Sequence, residues 1–270
     1  MNIRLDRFPG GVFKALTLSY DDGKEYDRRM IEIMNQHGIK GTFHLNSGKL
    51  GKDNYIEGKE IASLFAGHEV SAHTVDHPFL ELTPKERVAL EILEDRRSLE
   101  ALVNYPIRGM SYPFGTYDKS VKAMLPMLGI EYARTVNSHG AFTLPEDFLE
   151  WHPTCHHKDM FNYSEPFLSL EQKFPKMALF YVWGHSYEFE NNENWEDLEK
   201  FCKRMGKQKD IWYATNLEIV DYVNGVKALR FSVSQTMVYN PTATTVWIGA
   251  NGETVKVPAG KQVNLATVEG

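Results

Sequence analysis

The sequence predicts an α/β fold: a distorted or incomplete (β/α) barrel of parallel strands, followed by a small C-terminal all-β appendage. Three observations carry this. Short apolar, β-branched or aromatic runs recur at Ala15–Ser19, Gly41–Asn46, Glu69–Ala72, Ile107–Tyr112, Glu131–Val136, Phe148–Pro153, Ala178–Gly184 and Ile211–Thr215. Helical signals fill several of the gaps between them. Composition changes near Ala228, where short alternating runs surround turn chemistry. About eight strands with crossover helices suit a barrel, and a doubly wound sheet is the alternative.

The helical signals are local. Tyr26–His37 stops at Gly38, a residue suited to a left-handed stop. Thr83-Pro84-Lys85-Glu86 reads as a capping box with proline at the first helical position. Val88, Ile92, Leu99, Leu102 and Val103 then follow near helical spacing. Trp195–Met205 and Leu217–Val223 are later helices, and 137–147 reads as a loop. In the tail, Asn240-Pro241, Asn251-Gly252 and Pro258-Ala259-Gly260 mark turns, Asn-Gly being a strong hairpin signal. The expected division is a barrel over 1–227 and an appendage over 228–270. A sheet this small cannot bury enough surface to stand alone. It is expected to pack on the barrel or on a neighbouring copy, making the appendage the candidate surface for a homo-oligomer.

The 270 residues are 42% hydrophobic and 24% charged, with a net charge of −6. That balance offers no basic footprint for nucleic acid. No apolar run reaches transmembrane length, so membrane insertion is not expected. The N-terminal MNIRLDRFPGG has no apolar signal region, and cytoplasmic location is the expectation. Cys155 and Cys202 are too few for a disulfide framework and read as free thiols.

Two clusters carry chemistry. Leu18-Ser19-Tyr20-Asp21-Asp22-Gly23 places adjacent carboxylates where a strand ends, the end that forms the active face of a barrel. One Asp could bind a metal while the other stays free; as a lone motif, Asp-Asp-Gly is ordinary turn composition. His73 and His77, four apart after the Glu69–Ala72 strand, can point two imidazoles to one side. Together they supply Asp, His and His, and three protein ligands with open positions is the pattern of a catalytic metal.

These segments resemble the polysaccharide deacetylase family, also called the NodB-homology or carbohydrate esterase 4 family. Tyr20-Asp21-Asp22-Gly23, His73-Thr74-Val75-Asp76-His77, Ser111-Tyr112-Pro113-Phe114-Gly115 and the strand ending in His185 match four of its motifs in order, across about Ala15 to Thr215. The resemblance implies Asp21 as general base, Asp22, His73 and His77 as holders of one divalent metal, the backbone N–H of Phe114 as oxyanion donor, and His185 as general acid. Asp/His/His suits zinc, and cobalt, nickel or manganese fit similar ligands. The implied reaction removes N-acetyl groups from an acetylated carbohydrate. An amidohydrolase on a small amide or cyclic ureide, and a non-catalytic carbohydrate-binding protein, are the alternatives.

Two departures stand out. The family's third motif begins with an arginine that orients the base, and Ser111 stands there; Arg134 and Arg108 are the candidate substitutes. The fourth motif, an Asp-Trp pair, is not visible, and Trp151-His152-Pro153-Thr154-Cys155-His156-His157 stands in its region. Tyr112, Pro113, His156, His157 and Trp183 are the candidate substrate contacts.

Overall fold

The strand Lys14–Asp22 organises the molecule. In this computed structural model, which describes residues 1–173 and 176–268, it pairs in parallel with Ala178–His185 along one edge. The other edge is shared. Its upper half pairs with Gly41–Leu45 and its lower half with Ile211–Tyr213, both in parallel. The sheet continues from Gly41–Leu45 through Glu69–Ala72 and Gly109–Ser111 to Tyr132–Arg134, and from Ala178–His185 to Cys155–His156. Helices Asp27–Gln36, Lys85–Val103 and Trp195–Met205 occur between successive strands.

The two ends of the sheet meet through one irregular segment. Trp151 bridges Arg134 in parallel, and the Thr154 N–H donates to the Tyr181 carbonyl at 2.9 Å. The barrel is therefore closed, but distorted at this seam. The expected strand Phe148–Pro153 is not formed. Phe148–Glu150 is a 3-10 turn capped by Asp147, and the regular strand starts later, at Cys155. Pro153 has no N–H to give a ladder. The expected capping box also fails: the Thr83 hydroxyl donates to the Phe79 carbonyl (2.7 Å), and Lys85–Val103 begins after Pro84 without a side-chain cap.

Alternation along the strands separates two interiors. Leu16, Leu18 and Tyr20 pack outward with Met30, Met34 and Phe43. Thr17, Ser19, Asp21, Thr42, His44, Glu69, Ser71, Ser111 and Arg134 are buried in the alternate register. Much of this polar interior is internally bonded, as burial favours, although His44 Nδ1 and Arg134 Nε have no partner. The Thr42 hydroxyl donates to Glu69 Oε2 (2.9 Å) and the Tyr132 hydroxyl to Glu69 Oε1 (2.7 Å).

The tail seals the base. Phe8, Val246, Ile248, Val257 and Leu265 are buried in one cluster with Ala15, Leu179, Tyr181 and Tyr222. Val246–Ala250 pairs antiparallel with Glu253–Val257 across Asn251-Gly252, both at positive φ. It also pairs with Ile3–Arg4, so the chain's first residues belong to the same sheet as the 228–268 region. The strands' C-terminal ends lie at the opposite end of the barrel, where the titratable clusters gather. Among the described residues no helix is long and apolar enough to cross a membrane. Cys155 and Cys202 are free and buried.

Candidate metal centre and catalytic site

Adjacent strand residues ordinarily face opposite ways. Asp21 and Asp22 turn toward the same centre because Asp22 sits at φ 82, in the left-handed region. Thr74 (φ 67), His77 (φ 61) and Phe114 (φ 58) share this sparsely populated backbone. Such conformations persist only where the surroundings enforce them, and they cluster at functional sites.

Asp22 Oδ1 lies 3.8 Å from His73 Nε2 and 3.8 Å from His77 Nε2. These distances are too long for hydrogen bonds. They are shorter than the roughly 4.2 Å spanned by two zinc-ligand bonds of about 2.1 Å, so one ion can join Asp22 to either imidazole, and the ligand atoms of all three residues lie within 4.8 Å of one another. The ring chemistry agrees. His73 Nδ1 is 2.9 Å from the Ser111 carbonyl, which can only accept. The proton is therefore assigned to Nδ1, and Nε2 presents a lone pair to Asp22. Burial lowers the pKa of both imidazoles, His77 to about 4, keeping them neutral near pH 7. Asp95 braces the loop by accepting from the His73 N–H (2.9 Å) and the Ser47 N–H (2.7 Å). The donor set fits a divalent ion of the zinc class.

Asp21 also approaches His73, with its Oδ2 3.8 Å from Nε2, but its oxygens are bonded to other partners. Its Oδ2 pairs with Arg134 Nη2, and its Oδ1 accepts from the Ser111 hydroxyl at 3.0 Å. Burial works to raise its pKa, but Arg134 and then His73 outweigh it and keep the carboxyl ionised well below the usual range. Arg134 is fully buried. Of the two candidate arginines, only Arg134 reaches Asp21. Arg108 pairs with Asp221 (2.5 Å) and Glu131 (3.3 Å), away from the site. Odd separation from Ser111 along one strand puts it on the other face.

His185 Nδ1 is 2.9 Å from Glu188 Oε1. Burial would lower its pKa, but Glu188, Asp21 and Asp22 together raise it. His156 Nε2 (3.0 Å) and His157 Nε2 (2.9 Å) both face the other Glu188 oxygen. His156, His157 and Glu188, with Trp183, Val136 and Ser138, line a cavity of about 760 Å³. A smaller one, about 410 Å³, opens beside Asp22, Lys24, Tyr55 and Tyr187.

The Phe114 ring is half exposed, stacks on Phe79 at 3.8 Å and meets the His77 ring edge at 4.4 Å. Its turn depends on Gly115, at φ 72, where a Cβ would lie 2.3 Å from Val136 Cγ2. Tyr112, a candidate substrate contact, is buried, stacks on Tyr117 at 4.3 Å and donates to the Leu149 carbonyl at 2.8 Å. Pro113 is likewise buried. Glu188, Asp95 and Ser111 were not singled out as functional from the sequence. The His185/Glu188 spacing, i to i+3 into the helix Ser186–Asn191, was a readable signal.

Residues 11–133 match the model of a family described as polysaccharide deacetylase. A chitin deacetylase from Cryptococcus neoformans is 25% identical over 138 residues, 50% of this chain and 28% of that protein. A peptidoglycan-N-acetylglucosamine deacetylase from Bacillus cereus is 30% identical over 111 residues, 40% of this chain and 39% of that protein. The chain thus spans well under half the length of these two relatives. A solved structure from Mycobacterium smegmatis, described as a candidate polysaccharide deacetylase, aligns over 82% of this chain and 93% of its own with a TM-score of 0.63 at 15% identity, a likeness of fold.

Proposed function

We propose that this chain, whose residues 11–133 match the polysaccharide deacetylase family model, is a divalent-metal-dependent deacetylase that hydrolyses the N-acetyl group of an acetylated sugar within an oligosaccharide or polysaccharide, releasing acetate and a free amine. The observation that carries this is the convergence of Asp22, His73 and His77 beside a separately held, ionised Asp21. An ion there would lower the pKa of a water and polarise the acetyl carbonyl, which is what a carboxylate as weakly basic as Asp21 requires of its proton donor.

The chain's own groups divide the remaining work. Asp21, oriented by Arg134 and Ser111, accepts the proton from the attacking water. The Phe114 N–H, held by its left-handed turn, meets the oxygen on which charge develops. His185 gives a proton to the departing nitrogen, since an amine leaves poorly unprotonated. Trp183 and His156, with ring centroids 4.8 Å apart, form a wall suited to a sugar ring.

The test is acetate release from a panel of N-acetylated glycans, with metal content measured in parallel. One zinc-class ion per chain and loss of activity on chelation, restored by zinc, are expected. Metal-free protein with full activity would sink the reading.

A further inference from the structure

Glu188 accepts from three imidazoles at once, and the deacetylase reading gives it no task. Its Oε2 faces His156 Nε2 at 3.0 Å and His157 Nε2 at 2.9 Å, and its Oε1 faces His185 Nδ1 at 2.9 Å. The proton positions follow from the partners. His156 Nδ1 accepts from the Lys158 N–H at 3.3 Å, so its own proton sits on Nε2 and points at Glu188. That ring donates and has no lone pair left for a metal on this side. His157 is buried, and its Nδ1 has no hydrogen-bond partner. Its ring lies so close to the Ala178–His185 strand that a Cβ at Gly184 would fall 2.2 Å from Nδ1. It cannot swing away from Glu188 on that side. The carboxylate is thus pinned on one oxygen and offers the other to His185.

We propose that Glu188, restrained by His156 and His157, is a positioning residue that fixes the proton of His185 on Nδ1 and so reserves Nε2 for the reacting nitrogen. The kinetic side of this rests on the reading of His185 as general acid. In that step the Nε2–H bond breaks and the proton passes to the leaving nitrogen. The ring returns to the neutral form protonated at Nδ1, the form that the bond to Glu188 favours. Without a carboxylate at 188 the neutral ring has no reason to prefer Nδ1, and part of the population presents the wrong nitrogen.

The experiment uses the zinc-loaded full chain with ¹⁵N-labelled imidazoles. In the wild type, neutral His185 should show a protonated Nδ1 and an unprotonated Nε2. In Glu188→Gln the two forms should mix. Turnover of an N-acetylated chitooligosaccharide should then fall about tenfold to a hundredfold with KM changed less than about threefold, and turnover of 4-nitrophenyl acetate should fall less than about threefold, because its leaving group needs no proton. Zinc should stay at one per chain. A wild-type His185 unprotonated at Nδ1 overturns the proposal without any variant having to fold. So does a second zinc that His156→Ala removes, or an equal loss on amide and ester. If His185→Ala leaves amide turnover intact, the acid reading fails, while the ¹⁵N spectra still decide whether Glu188 sets the tautomer.

Discussion

In the Asp22–His73–His77 cluster each imidazole Nε2 stands 3.8 Å from the carboxylate oxygen; in the Glu188–His156–His157 cluster the same kind of separation is 3.0 and 2.9 Å. Both are groups of two histidines and a carboxylate at the same end of the barrel. What lies behind each ring separates them. A carbonyl, that of Ser111, stands behind His73 and takes its Nδ1 proton; an N–H, that of Lys158, stands behind His156 and pushes its proton to Nε2. The first arrangement turns lone pairs inward and stays open, ready for a cation. The second turns hydrogens inward and closes on the carboxylate. Composition alone is blind to this difference, because it is set by the backbone groups that the outer ring nitrogens meet.

The strongest way to break the comparison is to remove ligands. Asp22→Ala, His73→Ala or His77→Ala should each lose the bound metal and lower deacetylation about a thousandfold or more, since several kcal/mol of charge stabilisation go with the ion. Metal analysis and acetate release on the same samples check this. A variant that keeps both its metal and its turnover would remove that residue from the site.

Asp21→Asn should come next. Metal content should hold while turnover falls at least about a hundredfold, because the amide cannot accept a proton from water. Arg134 is fully buried against Asp21. Removing its partner should therefore also cost about 3–5 kcal/mol of stability, and assays belong below the lowered melting temperature. Arg108→Ala is the control. Its partners are surface carboxylates, and its effect should stay within about 1 kcal/mol with turnover unchanged.

The candidate metal cluster was legible because its motifs end regular strands: Asp21 and Asp22 close Lys14–Asp22, and His73 follows Glu69–Ala72. The barrel was legible for the same reason, since alternating strand and helix patterns repeat. The seam was not. Phe148–Pro153 has the composition of a strand, but Asp147 caps a turn there and only Trp151 pairs. The choice between Arg134 and Arg108 was open in the sequence because both lie on neighbouring strand runs; which interior each side chain enters depends on register. Glu188 was overlooked because a helix glutamate is ordinary until three imidazoles are found around it.

His156→Ala sharpens the second half of the comparison. His157 still holds Glu188 in this variant, so the loss should be partial. Metal content should remain at one ion per chain, and amide turnover should fall about threefold to tenfold, a fraction of what loss of the acid itself would cost. A fall in metal content would mean that the two clusters share ions and that the tautomer distinction fails.

The last effect leaves the chemistry alone and concerns the stability contributed by Asp27, which feels the charges of Asp22, Asp21 and His185. It is buried and accepts from the Ser186 hydroxyl at 2.5 Å, while its Oδ2 has no partner. Burial pushes its pKa up to about 8, the Ser186 bond opposes this, and the charges of Asp22 and Asp21 add to the rise. In the unfolded chain it titrates near the ordinary 3.8. The folded state therefore binds the extra proton, and this group's contribution to stability is full below about pH 4 and is lost as pH rises toward about 8. Asp27→Asn removes that dependence. Relative to wild type, its melting temperature should climb across this window by an amount on the order of ten degrees and level off above it. Melts of the metal-free proteins at several pH values read this directly. Parallel curves would show that Asp27 carries its charge at neutral pH, and that its surroundings are more polar than its burial implies.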